Sequence, residues 1–306
     1  MATGVNLRRP GKRARPDNLI AGPLMILPAI AALALFQLLP LVVAVLNGFR
    51  AFNPFTKAAT GWVGFENFAD LLADSSFYQA ALVSVAYIVL LNLVMIPLAL
   101  LLALLIDRKL PGALWARAAI LAALASSEAV TALVWNQMYQ PDAGLFNAIL
   151  ATLGLPQVPF LSNGVWAVLS IVFLSVWKDI GLPLLIFLGG LQTVQPSLYE
   201  AAAIDGANRR VMFWHITLPQ LRPSIVLSMF MITVGAARLF APIQILTQGG
   251  PEGWTTNMTY FAYVQGFEYS APGYAAASVT FMLLALVVLT VTQAAALRAP
   301  NMSGAS

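Results

Sequence analysis

The sequence predicts an all-α integral membrane protein with six transmembrane helices, on three observations. First, 60% of the 306 residues are apolar and only 9% are charged, whereas a soluble domain carries about 25% charged residues. Mean hydropathy is correspondingly high, at +0.82. Second, six apolar runs reach the roughly 20 residues that a helix needs to cross a bilayer: 19–46, 79–106, 113–138, 165–192, 223–247 and 273–298. Third, the basic residues fall almost entirely in alternate connections.

The first run follows Arg8, Arg9, Lys12, Arg13 and Arg15. Its length exceeds the 7 to about 15 apolar residues of a signal-peptide core, so it reads as an uncleaved helix rather than a leader. Six spans place both termini on one side. On that side fall the five tail cations, Arg108, Lys109, Arg117, Arg209, Arg210, Arg222 and Arg298, twelve in all, against Arg50 and Lys57 on the other. The positive-inside rule then makes both termini cytoplasmic and turns the segments 47–78, 139–164 and 248–272 outward. This topology accounts for the sequence pI near 9.5 without nucleic acid, because the cations sit at span ends and are not interleaved with aromatic residues. The basic tail reads as a topology signal beside anionic lipid.

The economical organisation is one membrane domain, 18–298, between a basic cytoplasmic tail, 1–17, and a cytoplasmic C-terminus, 299–306; no period of 20 to 50 residues suggests a solenoid. The absence of cysteine excludes disulfides, thiolate metal sites and cysteine nucleophiles. Among the outward segments, Trp62-Val63-Gly64-Phe65-Glu66-Asn67-Phe68 and Gly249-Gly250-Pro251 bring aromatics and turn formers to the membrane face, either as interfacial anchors or as a rim for an external partner.

The connection 193–222, between spans four and five, is the most structured polar segment. Ser197-Leu198-Tyr199-Glu200 has the form of a capping box, which predicts a helix starting at Leu198 with Ser197 and Glu200 exchanging backbone bonds. Ala201, Ala202 and Ala203 favour helix, Asp205 follows, and Gly206 permits the left-handed turn that ends it. Pro219 and Pro223 then punctuate the approach to span five. The expected product is a short stiff peg followed by a bend.

The order Glu200-Ala201-Ala202, three residues, Gly206, nine residues, then Ile216-Thr217-Leu218-Pro219 resembles the EAA loop of the permease subunits of bacterial ABC importers. Gly64-Phe65-Glu66-Asn67-Phe68, Val176-Trp177-Lys178, Tyr199 to Asn208 and Leu246-Thr247-Gln248-Gly249-Gly250-Pro251 extend the similarity over about residues 60–290, to the carbohydrate-type group with the maltose and glycerol-phosphate permeases. One departure is Phe240-Ala241, where many relatives have Phe-Asp, so any role of that aspartate has no residue here. The resemblance implies the ABC importer permease fold, the bacterial cytoplasmic membrane, and a loop on which a partner ATPase docks. The residues it assigns to coupling are Ser197, Glu200, Ala201, Ala202, Asp205, Gly206, Ile216, Leu218 and Pro219. The implied partners are a second related permease, two ATP-binding subunits and an extracytoplasmic substrate-binding protein. No cofactor is expected on this chain: it has no phosphate-binding loop, Gly11-Lys12 being followed by Arg13, so ATP and Mg would be bound by the partner subunits.

Glu128, Lys178, Asp179 and Arg238 interrupt apolar spans, where each charge costs at least about 2.5–3.5 kcal/mol and should face the interior or water. Counted along straight helices, Glu128 and Arg238 lie about 15 and about 14 Å from the outer ends of spans three and five, close enough in depth to pair or to line a path together. Lys178 lies about 20 Å down span four, and helical geometry turns it about 100° from Asp179, so the two are not expected to pair simply. Gly235-Ala236-Ala237 and Pro242 should slim and kink span five beside Arg238. Trp135, Asn136 and Gln137 suit either a sugar's hydroxyls or the membrane interface. Glu128, Asn136, Lys178 and Arg238 are therefore the substrate-pathway candidates. His215, the single histidine, lies in the coupling segment with no nucleophile motif and reads as structural.

Two transport classes remain: an ATP-driven permease for a sugar or related solute, which the EAA pattern favours, and a secondary transporter using Glu128 and Asp179 as ion sites. An intramembrane enzyme has no nucleophile, metal or acid–base constellation to support it.

Overall fold

The computed structural model of the chain describes residues 18–107 and 112–298, with side chains over 25–107 and 112–295. The basic tail, Arg108, Lys109 and the segment 299–306 lie outside the described residues.

Helix α1 covers 18–47, with a five-residue π turn at Ala34–Leu38. A hairpin of β1 (Arg50–Phe52) and β2 (Ala59–Trp62) follows, then α2 (Glu66–Ala73) and α3 (Ser75–Asp107). Next come α4 (Ala113–Ala125), α5 (Glu128–Met138), α6 (Leu145–Thr152), α7 (Gly164–Asp179) and α8 (Gly181–Thr193). The peg is α9 (Pro196–Ile204), followed by α10 (Arg209–Gln220) and α11 (Arg222–Ala237). The chain closes with α12 (Ala241–Leu246), α13 (Met258–Tyr263) and α14 (Pro272–Arg298).

Among the described residues, three helices are long and apolar enough to cross a membrane unaided: Met25–Asn47, Ser75–Asp107 and Pro272–Ala295. Three further candidate spans are bent pairs: α4 with α5 at 103°, α7 with α8 at 48°, and α10 with α11 at 63°, giving up to six. Three of the expected spans are therefore not straight rods. The apolar run 113–138 breaks at Ser126-Ser127, both in extended conformation. There the Ser126 hydroxyl donates to the Ala123 carbonyl at 2.6 Å and shares a 2.9 Å bond with Thr131 Oγ1, so side-chain bonds replace the helical ladder. The straight-helix depth count for Glu128 accordingly does not hold. Span five stops at Ala237 and resumes at Ala241, as Pro242 suggested. Asn257 Nδ2 and Thr259 Oγ1 stabilise that gap by donating to the carbonyls of Leu239 and Ala237, both at 2.6 Å.

The core runs along α3, whose buried Tyr87, Leu91, Met95, Ala99 and Ala103 recur every fourth residue and form one helical stripe. The small alanines permit close packing against α8 and α11. At Gly190 on α8 an added Cβ would strike Ser224 Oγ and Leu221 of the facing segment, so only glycine allows that crossing. Thr233 Oγ1 on α11 accepts from Asn92 Nδ2 at 3.2 Å and Gln293 Nε2 at 3.1 Å, tying three spans with polar side chains. The opposite faces of α3 and α14 expose Leu82, Leu93, Leu284 and Val288, as a lipid-facing surface requires. Over Met25–Asn47, α1 buries none of its most apolar stretch.

The all-α expectation needs one correction, the two-stranded antiparallel hairpin. Asn53 Oδ1 accepts the backbone N–H groups of Phe55 and Thr56, forming its turn, and the Arg50 guanidinium sits 5.0 Å above the Trp62 ring across the strands.

Candidate functional site

Two polar regions interrupt the apolar body. The first is 193–222. Helix α9 begins with Pro196 rather than Leu198, because proline's fixed φ suits the first helical position and its missing N–H costs nothing there. The capping box is consequently absent: Gln195 is the cap residue, without a side-chain bond, and Ser197 and Glu200 lie exposed within the helix. The expected stop does form. Gly206 adopts φ +78°, its N–H donates to the Ala203 carbonyl at 3.1 Å, and Ala207 N–H donates to Ala202 at 2.9 Å, closing a Schellman motif.

Asn208 then caps α10 through a 2.9 Å bond from Val211 N–H. Ile216, Leu218 and Pro219 lie on α10, where residues Phe213–Thr217 form a π turn. Buried Thr217 shares a 2.8 Å hydrogen bond with Tyr199, which locks α9 to α10 eighteen residues later. Sequence reasoning missed this pair, although Tyr199 sits inside the capping pattern and Thr217 inside I-x-L-P. Ala201 and Asp205 are exposed, Ala202 is half-buried, Ile204 presents 87% of its surface, and Leu198, Val211 and Trp214 are exposed as well. The outcome is a knob held by local bonds that exposes several apolar side chains. His215 Nδ1 lies 3.1 Å from the Val211 carbonyl one turn away, in keeping with a structural role.

The second region is a cavity of about 270 Å³. Glu128, Asp179 and Arg238 line it together with Ser175, Gly235 and an apolar wall that includes Leu91 and Met231. Each charged group stands at a break. Glu128 is the first residue of α5 after the 103° bend, Asp179 is the last of α7 before the 48° bend, and Arg238 follows α11 where span five is interrupted. Backbone unwinding thus brings charge to the protein interior in three separate spans, and all three converge on one space.

The structure corrects two expectations about these charges. Lys178 Nζ forms an ion pair with Asp179 Oδ1 at 3.2 Å; flexible side chains close the 100° that separates their backbones. Lys178 is buried while Asp179 remains half open to the cavity. Glu128 and Arg238 share the cavity without such an ion pair, although the charges of Asp179, Lys178 and Arg238 all act on Glu128. Asn136 does not line the cavity. Its Nδ2 donates to the Ile245 carbonyl at 3.3 Å and its Oδ1 accepts from Gln140, so it joins α5 to α12. Trp135 is buried among Tyr139, Phe146, Phe173 and Trp177, so it is neither an interfacial anchor nor an open ring face.

Among the described residues no group of three or more His, Cys, Asp or Glu is placed to hold a metal ion.

The chain is similar to known proteins over most of its length. Residues 68–299 match the family described as the binding-protein-dependent transport system inner membrane component. The chain is 33% identical over 271 residues to the trehalose/maltose transport system permease protein MalF of Thermococcus litoralis, covering 89% of this chain and 90% of that protein. It is 33% identical over 277 residues to the sn-glycerol-3-phosphate transport system permease protein UgpA of Rhizobium meliloti, covering 90% and 94%. The probable ABC transporter permease protein YesP of Bacillus subtilis is 30% identical, covering 94% and 93%. A chain in the crystal structure of a bacterial ABC transporter involved in the import of the acidic polysaccharide alginate superposes with a TM-score of 0.79 at 23% identity, over 94% of this chain and 97% of that one, and so shares its fold.

Proposed function

This chain belongs to the family of binding-protein-dependent transport system inner membrane components, and from that premise we propose that it is one permease subunit of an ATP-driven ABC importer for a sugar or related solute. It is a multi-pass membrane transport component, not itself the hydrolytic enzyme. In this reading both termini and the 193–222 knob face the cytoplasm, and the outward segments meet a soluble binding protein. A second permease completes the path, and two ATP-binding subunits supply ATP and Mg. Closure of the ATPase pair moves the knob, and the bent spans rock about their breaks to alternate access.

The observation that carries the reading is the knob: the residues of the EAA pattern form an exposed, stiff helix bonded to the segment that leads into α11, which lines the cavity. A force applied to α9 would reach α11 through Tyr199, Thr217 and α10. Relatives named as trehalose/maltose and sn-glycerol-3-phosphate permeases support a sugar or polyol ester as cargo.

The test is reconstitution of the chain with its second permease, ATPase pair and binding protein in liposomes. Uptake should require ATP and survive a protonophore, and the purified chain alone should not hydrolyse ATP. Uptake abolished by the protonophore and indifferent to ATP would establish instead the ion-coupled transporter that uses Glu128 and Asp179.

A further inference from the structure

We propose that the cavity lined by Glu128, Asp179 and Arg238 is a selectivity site for neutral polyhydroxylated solutes and discriminates against anionic ones, with Glu128 as the discriminating residue. The proposal rests on the transport reading above and names its substrate class.

The helix end that would attract an anion carries the chain's own carboxylate in its first turn. A broken transmembrane helix presents the positive end of its dipole and its unpaired N–H groups to the interior, and such ends attract ligand anions. Here that end is the start of α5, an eleven-residue helix whose cap residue, Ser127, makes no side-chain bond to it. Glu128, in the first turn and lining the cavity, puts a negative charge at that end.

The charge balance agrees. Two carboxylates, Glu128 and Asp179, and one guanidinium, Arg238, line the space. The fourth charge, Lys178, is committed to Asp179 at 3.2 Å. With the groups in their ordinary ionised forms, two negative charges therefore meet two positive ones, and an entering ligand needs to bring none. A phosphate or uronate would add a charge beside Glu128 within a largely apolar wall, where repulsion is poorly screened. A neutral polyol meets suitable chemistry instead: carboxylate oxygens of Glu128 and Asp179 that accept hydrogen bonds from hydroxyls, a guanidinium fork that donates, and the Ser175 hydroxyl, which donates to the Ile171 carbonyl and can accept. The 270 Å³ volume lies near the lower end of ligand pockets, about 300–1,000 Å³, and suits one sugar ring at a time.

The experiment uses the assembled complex in lipid nanodiscs without the binding protein, so that the binding protein's own preference does not enter. Ligand-observed NMR measures binding of matched pairs that differ in charge: D-glucose with D-glucuronate, D-galactose with D-galacturonate, and glycerol with sn-glycerol 3-phosphate. The wild-type complex should bind the neutral member at least tenfold more tightly in each pair that binds, and Glu128→Gln should shift the ratio toward the anion by tenfold or more. An anion bound as tightly as its neutral partner by the wild type overturns the proposal, and a Glu128→Gln ratio within twofold of wild type overturns the role of Glu128. The wild-type ratio needs no variant, so a Glu128→Gln complex that fails to assemble leaves the decisive test intact. If no member of any pair binds and the complete system takes up none of them, the sugar-import reading itself falls, and this inference with it.

Discussion

The knob at 193–222 and the charged cavity are both polar interruptions of an apolar chain, yet they are built in opposite ways. The knob is built largely of neighbours: proline starts α9, a glycine-centred motif ends it, and the tie from Tyr199 to Thr217 spans eighteen residues. The cavity is made of strangers, with Glu128, Asp179 and Arg238 coming from three spans and meeting only because each span breaks beside its charge. A locally built element keeps its shape when moved as a unit. An element assembled from three breaks changes shape when any of them bends. The contrast fits a lever and the site that it operates.

The largest effect should come from Gly206→Pro. Proline holds φ near −65° where Gly206 has +78°, and it removes the N–H that donates to Ala203, so the end of the lever should be lost at about 3 kcal/mol or more. Uptake and substrate-stimulated ATPase activity of the reconstituted complex should fall at least roughly tenfold while the amount in the membrane is unchanged. Normal activity would mean that 193–222 is not the lever.

Next is a pair of double-mutant cycles in the cavity, read by thermal unfolding of the complex. Lys178→Gln with Asp179→Asn should show a coupling of about 1–3 kcal/mol, because removing Asp179 strands a buried ammonium; the cavity side of Asp179 is half exposed, which keeps the figure below that of a fully buried pair. The Glu128→Gln and Arg238→Gln cycle should show less, since those two share a space without an ion pair. A reversed ranking would mean that the breaks hold a different charge pairing.

Tyr199→Phe should cost about 0.5–1.5 kcal/mol, the worth of one hydrogen bond, and lower the uptake obtained per ATP hydrolysed without abolishing either. Unchanged stoichiometry would relieve this bond of any part in transmitting motion. The smallest effect should be that of Ser197→Ala, within about 0.5 kcal/mol, because Ser197 is exposed inside α9 and caps nothing. A loss near 1 kcal/mol would restore the capping box that the sequence pattern suggested.

Legibility followed the same division. The stop of α9 at Gly206 and the interruption of span five near Pro242 were readable because a residue with restricted or unusual backbone freedom marks each. The start of α9 was misplaced because Ser-x-x-Glu and Pro196 compete for the same turn, and a residue already fitted to the first helical position won. The break at Ser126-Ser127 left a fainter trace, two serines and a glutamate within an apolar run, which periodicity alone passes over. Asn136 and Trp135 had suitable chemistry for a sugar, but the packing of α5 against α12 and α7 turns them into the core.

By itself the sequence determined the membrane class, the apolar runs and the presence of a stiff peg ending at Gly206. These depend on composition and on backbone preferences within one turn, and such terms do not need a partner segment. Tertiary structure alone decided that spans three and four bend, that Lys178 turns to Asp179, and that Glu128 shares a cavity with Arg238. In an apolar solvent hydrophobicity does not choose between helix faces, so close packing at residues such as Gly190 and the pairing of scarce polar groups across helices set the arrangement.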